Sequence, residues 1–381
     1  MSCSWSDRCG GCTTIGQTYE ATLKEKEAMV QRLLKAFGKP DRIVGMDDPY
    51  YYRNKVHRVC SFQKEGRRDQ HLFGIYAEGT HRVVPVRKCL IEDAGAQEIL
   101  DTVSELARQF KIRSYDESTR QGLLRHVLIR TAHATGQVMV VLVLTNPVLP
   151  GKSHFVKALR ERHPEITTIV INVNSRATSL ILGERESVAY GKGYIEDLLC
   201  GMRFRISPRS FYQVNSIQTE KLYARAMDMA GLKGREKVVD AYCGIGTIGL
   251  IASKHAGQVI GVESNKAAVQ DAILNAKANQ VRNIRFIAED AGQFLAKLSA
   301  SDKADVIFMD PPREGASDEF LGAAAAAHPG RIVYISCNPV TLARDLKQLT
   351  RLGYKVREIA PFDLFPWTGH VETVVLLTRN T

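Results

Sequence analysis

The strongest constraint on the fold is a regular alternation of strand-like and helix-like segments after about residue 206. Seven short apolar runs are separated by longer amphipathic stretches, except that the last two runs leave no room for a helix between them. The runs are KVVDAYC, QVIGVES, IRFIAED, ADVIFMDPP, RIVYISC, YKVREIAPFD and VETVVLLTR. The pattern predicts an α/β, doubly wound, Rossmann-like sheet of seven strands that ends in an antiparallel hairpin.

The preceding part of the chain has a different pattern. Between about residues 46 and 205, strand-like runs such as RHVLIRTA, VMVVLVL and TSLILG are separated by turn residues, and helical patterns interrupt them at 93–111 and 153–162. This pattern predicts an α+β domain with an antiparallel sheet. We therefore expect a cysteine-rich segment over 1–13, a helix packing on the C-terminal domain within 14–45, a central α+β domain over 46–205, and the doubly wound domain over 206–381.

The charge of the chain indicates a polyanionic partner. Residues 1–205 carry 31 Lys and Arg against 23 Asp and Glu, a net charge of +8, whereas residues 206–381 carry +3. Nucleic acid is the commonest such partner, although ordinary solubilising charge would give a similar excess. The candidate RNA contacts are Tyr51–Arg58, Arg67, Arg68, Arg82, Arg87, Lys88 and Arg125–Arg130.

The chain shows no sign of membrane insertion or secretion. No apolar run reaches the roughly 18 residues of a membrane span, and the N-terminus lacks the pattern of a signal peptide. We expect a cytoplasmic protein with no membrane partner, and no feature indicates an obligate protein partner. In that compartment, eight cysteines favour metal binding or catalysis over disulfides.

A glycine-rich loop follows the first of the seven runs. Gly244, Gly246 and Gly249 form G-x-G-x-x-G between a predicted strand and a predicted helix. Glu263 ends the next run, where a carboxylate can accept hydrogen bonds from two ribose hydroxyls. This loop is compatible with either a dinucleotide or S-adenosyl-L-methionine.

The fourth run decides between these two cofactors. It ends in MDPPREG, in which Asp310 precedes two prolines that remove backbone donors and restrict φ. Methyltransferases that act on planar bases use such an element to hold the target against the methyl donor, whereas hydride transfer has no need of it. The sequence therefore favours S-adenosyl-L-methionine, and an NAD-binding oxidoreductase remains a more distant alternative.

Five motifs together resemble the RNA uracil-5-methyltransferases, the family of the 23S ribosomal-RNA and transfer-RNA enzymes. They are SPRSFYQVN, DAYCGIGTIGL, DPPREG, ISCNPVTLARDL and FDLFPWTGHVETVVLL. The resemblance implies a nucleophile at Cys337 and a general base at Glu372. It also implies that S-adenosyl-L-methionine is bound by a set of residues at the strand ends, namely Gln213, Tyr242, Gly244, Gly246, Thr247, Glu263, Asp290 and Asp310.

The chemistry of uracil explains why this reaction needs a cysteine and a base. Carbon 5 of uracil is a poor nucleophile, but addition of a thiolate to carbon 6 makes it enolate-like, and a base must then remove its proton. A helix predicted to start at Pro339 would direct its positive end at Cys337, so we expect a lowered thiol pKa. His370 is the alternative proton acceptor.

A second group of cysteines predicts a metal site. Cys3, Cys9 and Cys12 lie close together in sequence, and Cys89 can supply a fourth thiolate. Four thiolates suit zinc and iron–sulfur clusters equally well. The resemblance implies a [4Fe–4S] cluster, because members of the ribosomal-RNA type have this pattern. It therefore favours 23S rRNA as the target over uracil 54 of tRNA.

Overall fold

The computed structural model describes residues 3–65, 68–298 and 303–380. The chain forms two compact units. The first contains Met1–Gly16, Pro49–Leu198 and Arg205–Arg209, and the second contains Gln17–Asp48, Leu199–Phe204 and Ser210–Thr381. Both units are therefore discontinuous in sequence. No helix within the described ranges is long and apolar enough to span a membrane.

Up to residue 206 the chain forms four helices and nine strands among the described residues. In chain order they are α1 (Ser6–Cys9), α2 (Tyr19–Leu34), β1 (Lys55–Glu65), β2 (Arg68–Tyr76), β3 (Val83–Val84), α3 (Ala94–Gln109), β4 (Leu124–Thr131), β5 (Val138–Leu144), α4 (Lys152–Arg162), β6 (Ile166–Val173), β7 (Arg185–Tyr190), β8 (Ile195–Leu199) and β9 (Met202–Ile206).

The first unit contains a seven-stranded sheet of order β3-β2-β1-β4-β5-β6-β7. Buried side chains of α3 and α4, including Val103, Leu106, Phe155 and Leu159, pack in one core with alternate residues of the central strands. The predicted antiparallel sheet is correct for most pairs but wrong for β5 and β6, which are parallel. The reason is that α4 connects these two strands, and a helical crossover returns the chain in the same direction.

The predicted strand TSLILG is also wrong. Residues 178–183 belong to no strand, because side chains of the preceding strand and turn hydrogen-bond to their backbone. Asn174 donates to the carbonyl of Leu180 at 2.7 Å, and Asn172 donates to the carbonyl of Gly183 at 2.9 Å. The strand that pairs with β6 is β7, which begins just after this segment.

After residue 206, the described chain forms six helices and seven strands. They are α5 (Ser216–Ala230), β10 (Lys237–Ala241), α6 (Thr247–Ala252), β11 (Gln258–Glu263), α7 (Lys266–Ala278), β12 (Ile284–Ala288), α8 (Ala291–Ala296), β13 (Val306–Met309), α9 (Asp318–Ala326), β14 (Arg331–Ser336), α10 (Pro339–Arg351), β15 (Tyr354–Phe362) and β16 (Glu372–Arg379).

The sheet of the second unit confirms the predicted fold. Its order is β12-β11-β10-β13-β14-β16-β15. The first five strands in this order are parallel to one another, and β16 runs antiparallel to both β14 and β15. The carboxyl ends of β10, β13 and β14 therefore meet at one edge.

Helix α2 is packed into this second unit by apolar and polar contacts. Val30 and Leu34 are fully buried in its core. The Lys26 ammonium forms a buried ion pair of 2.6 Å with Asp363, which also accepts a hydrogen bond of 2.8 Å from the Tyr19 hydroxyl. Lys26 donates a further hydrogen bond of 3.0 Å to the carbonyl of Phe365. The helix thereby holds the start of the segment that leads into β16.

Candidate active site

The strand register places two predicted catalytic residues at the same end of neighbouring strands. The pairing of β14 with β16 ends at Ser336 opposite Thr373. The next residues along these two strands are Cys337 and Glu372. Strand β13 lies on the other side of β14, and Asp310 follows its last residue. The fold thus brings a thiol and two carboxyl groups to one sheet edge.

Burial raises the pKa of all three groups, and neighbouring carboxylates add to this effect for Cys337 and Glu372. Burial, followed by the Glu372 and Asp310 carboxylates, raises the pKa of Cys337 to about 11, and Arg313 acts in the opposite direction. Burial, and then Asp310, raises the pKa of Glu372 well above its ordinary value. Burial also raises the pKa of Asp310 to about 7. The predicted low pKa of Cys337 is therefore wrong for the protein alone, because burial and then the two carboxylates outweigh the helix end.

Arg313 and His370 lie together beside this group. The guanidinium Nη2 of Arg313 is 3.3 Å from His370 Nδ1, and the His370 ring packs edge-on against Phe365. His370 is exposed whereas Glu372 is buried. The two candidate bases therefore have different surroundings, and Glu372 is the one enclosed next to Cys337.

The loop after Asp310 is clamped onto α10 by Asp345, a fully buried residue that the sequence analysis missed. Its carboxylate accepts hydrogen bonds from the Tyr334 hydroxyl at 2.6 Å and from the backbone N–H of Ala316 at 2.8 Å. Gly315 has φ of +81°, and a Cβ there would lie 2.6 Å from the Asp345 carboxylate. Close packing of loop and helix thus requires glycine, and it fixes the backbone that carries Arg313.

The predicted cofactor loop has a backbone that requires its glycines. Gly244 and Gly246 have φ of +54° and +84°. A Cβ on Gly246 would lie 2.7 Å from the Phe286 ring. Glu263 accepts hydrogen bonds from the backbone N–H groups of Gly244 at 3.2 Å and Asn265 at 2.8 Å. The carboxylate predicted to bind the ribose thus lies against the loop and helps to hold it.

Tyr223 lies close to three of the residues predicted to bind the cofactor. It is fully buried on α5, and its hydroxyl lies 3.5 Å from the Thr247 hydroxyl and hydrogen-bonds with Gln213. Asp310 is near enough to raise the pKa of Tyr223, second to burial. The fold therefore brings Gln213, Thr247 and Asp310 together around one tyrosine that sequence patterns did not reveal.

Asp240 is a further carboxyl group that the sequence analysis missed. It is fully buried in β10, and it accepts a hydrogen bond of 2.7 Å from the N–H of Gly249. Burial raises the pKa of Asp240 to about 8. The only available signal was a carboxylate inside the otherwise apolar run KVVDAYC.

Tyr242 and Asp290 complete the predicted set. Tyr242 has a positive φ of 63°, and its ring lies 5.0 Å from that of Phe320. Burial and then Asp290 raise the pKa of Tyr242 to about 12, so these two side chains are near each other. Asp290 caps α8 by accepting from the N–H of Gln293 at 2.9 Å.

Comparison with known proteins identifies the family. The family model for tRNA (uracil-5-)-methyltransferase matches residues 18–380. The chain belongs to this RNA uracil-5-methyltransferase family. It is 43% identical to an uncharacterized RNA methyltransferase of Caldanaerobacter subterraneus, over 99% of this chain and 84% of the relative. It is 42% identical to another from Clostridium acetobutylicum, over 99% and 83%.

A solved structure agrees with this family assignment. The crystal structure of Pyrococcus abyssi tRNA (uracil-54, C5)-methyltransferase in complex with S-adenosyl-L-homocysteine has a TM-score of 0.81 and 28% identity to this chain. The match covers 97% of this chain and 86% of that one. The predicted enzyme class, an S-adenosyl-L-methionine-dependent RNA uracil-5-methyltransferase, is confirmed, and the oxidoreductase alternative is wrong.

In the first unit of this methyltransferase, the four predicted metal ligands line one cavity. Cys3, Cys9, Cys12 and Cys89 border a space of about 270 Å³, and all four are free thiols. Burial, and then the other three cysteines, raise the pKa of Cys12 to about 12. Within the described part of the chain, no group of three or more His, Cys, Asp or Glu side chains is arranged to hold a metal ion. The [4Fe–4S] or zinc prediction is therefore not confirmed.

One of the arginines suggested as RNA contacts is already paired with a carboxylate. Arg58 is buried and forms a two-point ion pair with Glu92 at 2.7 and 2.5 Å. Arg130 is also buried. Arg82 remains exposed, and Arg67 lies outside the described residues.

Proposed function

We propose that this methyltransferase transfers a methyl group to C5 of a specific uridine in 23S rRNA through a covalent adduct between Cys337 and C6. The observation that carries the mechanism is the register of β14 and β16, which sets Cys337 beside Glu372 at one sheet edge. The cysteine cavity of the first unit supports the ribosomal target, because the resemblance associates a four-cysteine set with that branch of the family.

In the proposed reaction, the Cys337 sulfur forms a bond to C6, and the C5–C6 electron pair moves toward the C4 carbonyl. Carbon 5 then forms a bond to the methyl group of S-adenosyl-L-methionine, and the bond from that methyl to sulfur breaks, which would leave S-adenosyl-L-homocysteine as a neutral thioether. Glu372 removes the C5 proton, the electron pair restores the C5–C6 double bond, and the sulfur–C6 bond breaks to release the thiolate. A base that reacts at both C5 and C6 must leave its stack, so the target uridine is expected to be flipped or in a loop.

S-adenosyl-L-methionine supplies an electrophilic methyl group on a positively charged sulfur. Gln213, Tyr242, Gly244, Gly246, Thr247, Glu263, Asp290 and Asp310 are the residues proposed to bind it. A cation suits this edge, because burial raises the pKa of Cys337, Glu372 and Asp310 and thereby disfavours their negatively charged forms. A nearby positive charge favours the ionised thiol and carboxylate on which both proposed catalytic roles depend.

The proposed role of the cysteine cavity is to hold a [4Fe–4S] cluster through Cys3, Cys9, Cys12 and Cys89. The raised pKa of Cys12 means that this thiol is protonated without a metal, and metal binding would release its proton. Arg53 and Lys55 line the same cavity. Their positive charges suit a cluster with four thiolate ligands, whose net charge is negative. The cluster would act structurally, by fixing the segment before α2.

A deletion strain tests the target. We expect one or more 5-methyluridines to disappear from 23S rRNA, to return with the wild-type gene and to remain absent with Cys337→Ala. Loss of 5-methyluridine at position 54 of tRNA, with 23S rRNA unchanged, would favour the second candidate, the tRNA enzyme. That candidate has its own support in the description of the matching family and in the Pyrococcus abyssi neighbour.

A further inference from the structure

A cleft opens in the first unit where β1 separates from β4. The two strands pair only over Lys55–Val59. Beyond that point, the N–H of Phe62 donates to the carbonyl of Tyr115 at 3.3 Å, so the chain around Tyr115 takes the place of β4. The resulting cavity of about 740 Å³, here called the β1–β4 cleft, is lined by residues that include Phe62, Tyr76, His81, Arg113, Tyr115 and Arg125.

Two arginines of the cleft form no direct ion pair with a carboxylate of the described residues. Arg125 is only 4% exposed, and it donates to the backbone carbonyls of Asn174 and Arg176 at 2.7 Å each. Its guanidinium lies 4.7 Å from the Tyr115 ring centroid, and that of Arg113 lies 4.4 Å from the Phe62 centroid. Glu117 is near enough to Arg125 for the two charges to interact, but it makes no ion pair with it. A buried cation without a directly bound anion is costly, so this wall favours an anionic ligand.

The acidic residues of the cleft are already engaged. Glu117 accepts a hydrogen bond of 2.7 Å from the Tyr76 hydroxyl and lies 2.8 Å from His81 Nδ1. Asp116 accepts hydrogen bonds from Ser118 and Thr119 in its own turn. The Tyr76 and His81 rings lie 5.2 Å apart. The cleft thus combines aromatic rings with guanidinium groups that form no ion pair, which is the composition that binds single-stranded nucleic acid.

We propose that the β1–β4 cleft binds one unstacked nucleotide of the RNA substrate, other than the uridine that is methylated. Its phosphate would lie toward Arg113 and Arg125, and its base would stack on the aromatic residues. The inference rests on RNA being the substrate, but it does not depend on the choice between 23S rRNA and tRNA.

The test is the affinity of the full chain for a fluorescein-labelled single-stranded cytidine dodecamer, measured by anisotropy. The dodecamer contains no uracil, so it offers no target base. Arg113→Met keeps an apolar side chain on Phe62 and removes the charge, and we expect about tenfold weaker binding. Arg108→Met on α3 is the matched control, because Arg108 is exposed and forms no ion pair with a described residue. Its affinity should equal that of the wild type.

Arg120→Glu provides an independent variant at the exposed rim, where Arg120 lines an adjoining cavity with Tyr76 and Tyr115. It too should weaken binding, and it decides the question if Arg113→Met does not fold. Wild-type affinity in both folded variants, or no binding of the dodecamer by the wild type, would overturn the proposal. Dodecamer binding without methylation of 23S rRNA would instead contradict the proposed target and leave the cleft assignment intact.

Discussion

The active-site edge of the second unit and the cysteine cavity of the first unit are held in different ways. Cys337, Glu372 and Asp310 each adjoin a strand of one sheet, so the hydrogen-bond register fixes their spacing. Cys3, Cys9 and Cys12 belong to a segment whose one helix, α1, has four residues and buries none of them. The first site is positioned by strand pairing, whereas three of the four thiols of the second lie on a short segment outside any sheet.

Because of this difference, substitutions at the two sites should affect different properties, namely the reaction at the sheet edge and the stability of the first unit at the cysteine cavity. Removing a side chain from the sheet edge should change the reaction while the fold persists, because strand pairing does not depend on that side chain. Removing a ligand from the cysteine cavity should change the order of the first unit while the sheet edge of the second unit keeps its geometry. The following predictions test this contrast, beginning with the largest expected effect.

Cys337→Ala should lower methyl transfer by about 10⁴-fold or more, because no other described thiol adjoins β14 to add to C6. Binding of S-adenosyl-L-methionine, measured by calorimetry, should be unchanged. Cys243→Ala, a buried cysteine in the cofactor loop, is a control for loss of a thiol. Near wild-type turnover by Cys337→Ala would contradict the covalent mechanism.

Glu372→Gln should lower turnover by about 10³-fold, because general-base assistance is lost. Addition and methyl transfer should still occur, so a methylated protein–RNA adduct should accumulate as a band stable to denaturant. The double variant with Cys337→Ala should show no such band. If Glu372→Gln is inactive without an adduct, Glu372 acts earlier; normal turnover would point to His370 instead.

Alkylation of Cys337 in the free enzyme should be slow at neutral pH. A thiol with a pKa of about 11 is mostly protonated at pH 7, so its rate with iodoacetamide should rise about 100-fold between pH 7 and 9. The rate is read from the modified Cys337 peptide by mass spectrometry. A rate that levels off below pH 8 would show that the pKa of this thiol is not raised by burial and the nearby carboxylates.

Asp345→Asn should lower turnover about tenfold, because the Ala316 N–H and the Tyr334 hydroxyl lose a charged acceptor and the loop carrying Arg313 loosens. The affinity for S-adenosyl-L-methionine should change less than kcat. Asp318→Asn is a control, because Asp318 lies in the exposed first turn of α9. Equal effects of the two variants on turnover would show that Asp345 does not position the loop that carries Arg313.

Cys12→Ser should have the smallest effect on the sheet edge. If a cluster is bound, iron content should fall from about four atoms per chain, and hydrogen exchange should increase around Cys89 and α1. The alkylation rate of Cys337 and the affinity for S-adenosyl-L-methionine should both stay within twofold of the wild-type values. Cys60→Ser controls for loss of a cysteine outside the cavity. A colourless protein with one zinc per chain would identify a zinc site.

The predictable parts of the molecule were those governed by local pattern. Each strand of the second unit has its own apolar run, and strand order followed from the rule for doubly wound sheets, so the meeting of Asp310 and Cys337 could be anticipated. The parallel β5–β6 pair and the irregular 178–183 segment depend on a crossover and on Asn172 and Asn174 contacts, which periodicity does not encode.

The features of the site that could not be predicted from the sequence depend on side chains that are far apart in sequence and meet only in the folded protein. Asp345 lies within a recognisable motif, yet its role is set by Ala316, 29 residues earlier. The pKa of Cys337 was predicted in the wrong direction because its burial, and its proximity to Glu372 and Asp310, arise only when the strands pair. Charge patterns likewise could not show that Arg58 is already paired with Glu92.

The buried pair of Lys26 and Asp363 has a consequence for synthesis of the protein. The two residues are 337 positions apart, and the part of the first unit that contains its seven-stranded sheet is encoded between them. At about 5–20 residues per second, α2 leaves the ribosome roughly 17–70 s before its partner carboxylate exists. During that interval, Val30 and Leu34 have no final core to enter. The first unit can therefore complete its sheet before the last strands of the second unit have been synthesised. Until those strands exist, the nascent chain would expose the apolar face of α2 to chaperones.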